Sequence, residues 1–228
     1  MRRLPSSLDF RIKALRENRY LSGLDDEILI YLAENTRLIS YDADEIIIHE
    51  GRSCQGLAIV ESGRVKIYKG SPSGREMIFT VMEEGDSFNE VAVFDQKENP
   101  VNVSAVLSTR IWLIDAAALR KVSAEHPAAC QMIIYNLAQN LRMLVGKVAE
   151  LSFYTVTARL ARLLRDLPES QLTGSGAARL TQDDMASRIG TVREVVARSL
   201  RELERVGAID IDRGKITILD EEKLINWE

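Results

Sequence analysis

The chain has 228 residues, 46% of them hydrophobic, and a formal net charge of −4. That length suits one large domain or two ordinary ones, and the hydrophobic share supports a real core and excludes global disorder. The mild acidity excludes coating nucleic acid or membrane by bulk charge, though not a local basic face, and no apolar run approaches the ~20 residues that cross a bilayer.

The N-terminal MRRLPSSLDF has two arginines but no apolar signal core, so a cytoplasmic protein is expected. SGLDDEILIYLAENTRLIS (22–40) offers Ser22 as a helix cap, followed by helical periodicity. Glycines then recur at Gly51, Gly63, Gly74 and Gly85. Between and after them run EIIIH (45–49), LAIVE (57–61), RVKIYK (64–69), EMIFTVM (76–82), VNVSAVL (101–107) and RIWLI (110–114). Short strands separated by turn signals at this spacing indicate a sandwich or barrel. Within this part, GDSFNEVAVFDQKENPVNVSAV (85–106) is laid out like a loop that grips a small molecule. A glycine turn leads to Phe88, Asn89 and Glu90, then to an amide-rich acidic bend and a β-branched strand.

A long helix is expected from Pro127, a good first-turn residue. Ile134, Leu137, Leu141, Leu144, Val148 and Leu151 follow a 3-4-3-4-3 spacing, the a/d seam of a heptad pattern. A helix lying on its own domain would show a wider stripe, and Ile133 and Val145 widen this one only slightly. The seam calls for a second helix, and a homodimer is its economical source.

From Phe153 onward, TVTARLARLLRDLP reads as a helix ending before Pro168, and ESQLTGSGA as a loop. LTQDDMASRIGTVREVVARSLRELERVGAIDI (180–211) then carries two capping-box patterns, Thr181 with Asp184 and Thr191 with Glu194. The first helix, about 182–189, places Met185, Ala186 and Ile189 on one face, and Gly190 suits a sharp turn. The second turns Val196, Leu200 and Leu203 inward and leaves Arg193, Glu194, Ala197, Arg198 and Arg201 outside. An Arg can bond guanine O6 and N7 together, a Glu can accept from cytosine N4, and a recognition helix meets base edges with its first turns. Thr191 and Ser199 are suited to phosphate contacts, and Thr181 and Arg201 are further DNA-binding candidates. The same charges also fit an ordinary solvated face, with Glu194 closing its box and Arg198 pairing with Glu202. AIDIDRGKITIL reads as a hairpin around Arg213-Gly214, with Arg213 or Lys215 within reach of phosphate.

This order of parts resembles the CRP/FNR superfamily of bacterial transcription regulators over nearly the whole chain, most specifically in LTQDDMASRIGTVREVVARSLRELERVGAI. The resemblance implies an α+β fold. An antiparallel β-roll of the cyclic-nucleotide-binding jelly-roll kind, with N-terminal helices, would occupy residues 1–126. A dimerisation helix would follow at 127–152 and a winged helix-turn-helix at 153–228. It implies a homodimer without enzymatic activity that binds palindromic double-stranded DNA and RNA polymerase. Arg193, Glu194 and Arg198 match the base readers of the cyclic-AMP receptor branch, which implies a half-site similar to TGTGA.

The effector loop departs from that family's pattern. Cyclic-nucleotide-binding relatives carry Gly-Glu for the ribose and, ten residues on, Arg followed by Ser or Thr for the phosphate. Glu90 matches the Glu, but Asn89 replaces the Gly, and Pro100 and Val101 replace the Arg and its hydroxyl neighbour. Proline has no N–H and valine no polar group, and a buried phosphate without its cation is costly. The pocket expected around Phe88, Asn89, Glu90, Pro100 and Val101 therefore lacks its anion clamp, and Lys97 is a weak substitute. The effector is expected to be something other than cyclic AMP, or absent. A haem- or redox-sensing member is the alternative, through His49, His126 or Cys54 in the turn RSCQG (52–56). Cys54 and Cys130 stand far apart without CxxC neighbours, which argues against zinc and an iron–sulfur cluster. A cupin-type metalloenzyme needs several strand histidines, and only His49 lies in one. A dimeric adaptor that does not bind DNA would keep the seam but leave Arg193, Glu194 and Arg198 without a task.

Overall fold

The computed structural model describes residues 1–18, 21, 23–72, 74–174 and 180–227. They divide into two units, Met1–Lys69 with Phe79–Met143, and Gly70–Ile78 with Leu144–Glu228.

The chain opens with β1 (Arg2–Leu4), α1 (Leu8–Glu17) and α2 (Asp26–Glu34). Ser7 caps α1 by accepting from the Phe10 N–H at 3.2 Å. Asp25 is the N-cap of α2, and the expected cap Ser22 lies outside the described residues. The helical periodicity expected to continue to Ser40 stops at Glu34. Beyond the C-cap Asn35, the apolar and β-branched run Thr36–Tyr41 is a strand, β2, held on both edges by β1 and a later strand.

There follow β3 (Ile46–Ile48), β4 (Gly56–Ser62), β5 (Val65–Gly70), β6 (Glu76–Met82), β7 (Ser87–Phe88) and α3 (Glu90–Asp95). Then come β8 (Asn102–Ala105), β9 (Thr109–Asp115), α4 (Ala116–Glu125) and the 27-residue α5 (Pro127–Phe153). One sheet has the order β1-β2-β9-β4-β7 and the other β3-β8-β5-β6, with antiparallel pairing. Each of the six apolar runs supplies a strand. β4 is apolar and buried from Gly56 through Val60 because both its faces are covered there. Ala58 and Val60 join Tyr41, Val65, Phe88 and Ile111 inside the roll. Leu57 and Ile59 pack outward with Trp112 and Ile114 against Leu15, Leu32 and Leu119 of α1, α2 and α4. Gly63 makes the turn into β5 at φ +97, and a Cβ there would lie 2.7 Å from the Ser108 carbonyl oxygen, so no larger residue fits.

The second unit continues with α6 (Val156–Asp166), α7 (Glu169–Thr173), α8 (Gln182–Ile189), α9 (Arg193–Arg205), β10 (Ile209–Asp212), β11 (Lys215–Ile218) and α10 (Glu221–Ile225). Leu160, Leu164, Met185, Ile189, Val196, Leu200 and Leu203 form its core. ESQLTGSGA is not simply a loop. Its first five residues wind into α7, opened by the Gln171 N–H to the Pro168 carbonyl at 2.9 Å, while 175–177 lie outside the described residues.

Candidate functional site

The helix-turn-helix is built from its caps. At α8 the capping box is complete. Thr181 Oγ1 accepts from the Asp184 N–H at 3.1 Å, and Asp184 Oδ2 accepts from the Thr181 N–H at 2.9 Å. Gly190 leaves the helix at φ +68, a left-handed exit that suits glycine. The second expected box does not form. The Thr191 N–H turns back to the Ala186 carbonyl at 2.9 Å, so α9 starts one residue later, with Val192 as N-cap and no side-chain cap. Glu194 thus falls at the second helical position, one short of the third position that a capping box uses.

On α9, Val196, Leu200 and Leu203 are buried, while Arg193, Glu194, Arg198 and Arg201 are exposed. The Arg193 guanidinium lies 3.7 Å from the Asp183 carboxylate, a weak contact between two solvated groups. Arg201 Nε donates to the Ala197 carbonyl at 3.2 Å. Among the described residues no ion pair engages Arg198; Glu202 instead accepts from Thr157 Oγ1 at 3.0 Å. Ser199 corrects an expectation. It is 3% exposed and its hydroxyl lies 2.9 Å from Thr157 Oγ1, so it is an interior group and unavailable to phosphate. Past α9, Arg213 (φ 47) and Gly214 (φ 78) make a two-residue turn of type I′ character between β10 and β11, and Arg213 and Lys215 are exposed.

Along α5, Ile134 (59%), Leu141 (63%), Leu144 (41%) and Val148 (63%) are exposed, with Leu137 and Leu151 half-buried. Tyr135 and Val145 extend the same apolar exposure. A face of this size on a single chain is unusual and marks an interaction surface.

The effector loop is not assembled as expected. Phe88 is buried in the roll's interior, Pro100 is exposed and Val101 is half-buried. Glu90 accepts from Ser87 Oγ at 2.7 Å, and burial raises its carboxyl above the usual range. It faces a void of about 20 Å³ shared with Leu24, Phe94, Met132 and Asn136. Asn89 adopts φ +81, and its Nδ2 donates to the Gly56 carbonyl at 3.0 Å and to Cys54 Sγ at 3.2 Å. A separate cavity of about 300 Å³ opens at the mouth of the roll, lined in part by His49, Arg52, Asn89 and Asn99. Of the five expected pocket residues, only Asn89 reaches it. Arg52 and Asn99, absent from the sequence-based expectation, are among its polar members.

Cys54 and Cys130 are free thiols, and burial pushes Cys54 up, away from thiolate reactivity. His126 is the C-cap of α4. Among the described residues, no three His, Cys, Asp or Glu side chains gather as a metal site, and no helix is long and apolar enough to cross a membrane.

Known proteins agree with this division. Residues 38–126 match the family model for a cyclic nucleotide-binding domain, and residues 158–227 that for a Crp-like helix-turn-helix domain. The cAMP-activated global transcriptional regulator Vfr of Pseudomonas aeruginosa is 30% identical over 187 residues, covering 78% of this chain and 87% of its own length. The chain belongs to the CRP/FNR family. A CRP-like cAMP-activated global transcriptional regulator of Mycobacterium tuberculosis is 28% identical over 207 residues, covering 89% of this chain and 92% of its own. A crystal structure from Eubacterium rectale, assigned to the crp/fnr family of transcriptional regulators, shares the fold. Its TM-score is 0.77 at 23% identity, and the match covers 91% of this chain and 96% of that one. As a CRP/FNR member the protein is a transcription regulator with a DNA-binding helix-turn-helix, not an enzyme.

Proposed function

We propose that the protein acts as a homodimer that reads a palindromic, TGTGA-like DNA site through Arg193, Glu194 and Arg198. The observation that carries this reading is the α9 face: these three exposed side chains lie within its first two turns, over a helix whose other side is core. Thr181, Thr191, Arg201, Arg213 and Lys215 are the backbone contacts in this reading; Ser199, being buried, is not among them. The α5 face of Ile134, Leu137, Leu141, Leu144, Val148 and Leu151 packs against the same face of a second copy. Residues 1–126 serve as sensor, 127–152 as dimerisation helix and 153–228 as DNA-binding domain. A signal at the roll acts through the hinge near Leu151–Thr155 and alters the spacing of the two recognition helices, which must match half-sites about 34 Å apart. RNA polymerase is the further partner, and the cytoplasm the place of action.

The named relatives are cAMP-activated, but that activation is not carried over. The positions that should clamp a phosphate are Pro100 and Val101, and Asn89 uses its amide within the protein. The test is fluorescence anisotropy with a duplex of two TGTGA half-sites and a scrambled duplex, at several salt concentrations. Preference for the palindrome, with affinity falling steeply with salt, is expected. Equal binding to both duplexes sinks the base-reading assignment.

A further inference from the structure

Asn136 is a buried polar residue, 7% exposed, on the helix that carries the exposed apolar face. Of its two amide atoms only Oδ1 is closed off from solvent, and it has no donor among the described residues. On its outer side Asn136 borders an open groove with Gln131, Tyr135 and Gln139. The oxygen is thus the inward end, and inward lies the void of about 20 Å³ that Asn136 shares with Glu90. Among the described residues bordering that void, these two are the only polar ones. The 21–24 loop, β4, α4 and α5 contribute Leu21, Leu24, Leu57, Leu119, Ala129 and Met132, none of them titratable. Buried acceptors in folded proteins nearly always have a partner, and one closed to water needs a donor from the protein itself.

Glu90, the first residue of α3, is 5% exposed. Ser87 Oγ donates to its Oε1, which leaves Oε2 to carry an acid proton. No charged side chain offsets the burial that favours the neutral form. The charged groups of the packed elements are engaged elsewhere. Arg120 of α4 donates from Nη1 to the Val93 carbonyl at 3.0 Å, and Asp95 at the end of α3 accepts from the Lys97 N–H at 3.0 Å. A neutral carboxyl can donate a hydrogen bond, whereas a carboxylate only accepts.

We propose that Glu90 in its acid form donates from Oε2 to Asn136 Oδ1, a pH-sensitive strut between the effector loop and α5. The folded-state pKa of Glu90 lies above the unfolded one, so the strut is fully present below the unfolded value and is lost as pH rises through the folded value. Ionised Glu90 would meet Oδ1 acceptor to acceptor, and the loop would part from α5 one residue before the seam leucine Leu137. The regulatory consequence rests on reading α5 as the dimer helix; the strut itself does not.

The test is carbon-detected NMR of the glutamate carboxyls in the full chain, without DNA, from about pH 4 to about pH 9. The Glu90 signal is assigned by its loss in Glu90→Gln. It should titrate above the ordinary glutamate range, and Asn136→Leu or Asn136→Ala should lower its midpoint by roughly half to one pH unit, because the lost bond favours the neutral form. Ser87→Ala should move the midpoint the other way, since the Ser87 hydroxyl favours the carboxylate. An ordinary midpoint in the wild type, or one that both Asn136 variants leave unchanged, overturns the strut. A midpoint raised by both would mean that the amide donates to a carboxylate, and overturns it too. Operator affinity in the wild type should then change about fivefold across that midpoint and stay level in Glu90→Gln; parallel profiles strike the regulatory role and leave the strut. Because the NMR is read without DNA, its failure leaves the operator reading intact, and a chain that shows the strut but no operator preference strikes that reading alone.

Discussion

Leu141→Ala tests the α5 seam most directly. Leu141 is 63% exposed in the single chain. Full burial of a leucine side chain is worth ~1.5–3 kcal/mol, so the share still exposed amounts to ~1–2 kcal/mol per subunit. A two-fold interface buries it twice, giving ~2–4 kcal/mol per dimer, or roughly a 30- to 700-fold weaker dimer. Alanine is the best helix former, so the helix itself is not weakened. Leu219→Ala is the control: that leucine is 62% exposed but lies off α5. Sedimentation equilibrium on the full chain should show a raised dissociation constant for Leu141→Ala and an unchanged one for Leu219→Ala. Equal association by both variants, or a wild-type chain that stays monomeric throughout, would refute the seam.

Arg198→Ala should cost roughly 1–3 kcal/mol of specific binding and relax base choice at one position of each half-site; competition assays showing equal loss on random DNA contradict it. Ser199→Ala should lower unfolding stability in urea by about 1 kcal/mol, through the lost bond to Thr157, and leave DNA affinity and its salt slope unchanged. An equal loss of affinity on specific and random duplexes would return Ser199 to the phosphate contacts. Burial raises the folded-state pKa of Glu90 above its unfolded value. Its contribution is therefore fully favourable below the unfolded pKa and is lost as pH rises through the folded one. Glu90→Gln should gain stability over the wild type on going from acid to neutral pH, and a gap that stays flat in urea titrations across that range contradicts the burial argument.

The elements that were legible are those whose signal is local. α9 was readable because Val196, Leu200 and Leu203 repeat at helical spacing, and α8 because Thr181 and Asp184 form a complete box. Ser199 faces inward, three residues after Val196 on the buried stripe, against the expectation for a small polar side chain. The hydroxyl that satisfies it belongs to Thr157, 42 residues away, which local periodicity does not reveal. The cap at Thr191 failed because its N–H is used by the turn that Gly190 makes. β1 and β7, at three and two residues, are too short to carry a period. The Arg52 and Asn99 side of the cavity at the mouth of the roll left no trace in the sequence, since it joins the 49–53 loop to Asn99 through backbone bonds.

Asn89 meets the backbone demand at the start of α3 and holds the loop there with its own side chain. The position needs a positive φ, which glycine takes most easily, and asparagine is among the few other residues that tolerate it. The added side chain is then used: Nδ2 ties the start of α3 to the Gly56 carbonyl and Cys54 Sγ. Glu90, the residue that would hold a ribose, bonds Ser87 instead and sits buried beside apolar neighbours. The loop is thus held by the protein's own groups. Restoring a phosphate site would need more than Pro100→Arg and Val101→Ser. It would also need Asn89→Gly to clear the approach and a Glu90 released from Ser87. The double substitution alone should therefore confer no cyclic AMP binding by calorimetry, and tight binding by that variant would show that Asn89 and Glu90 are no obstacle.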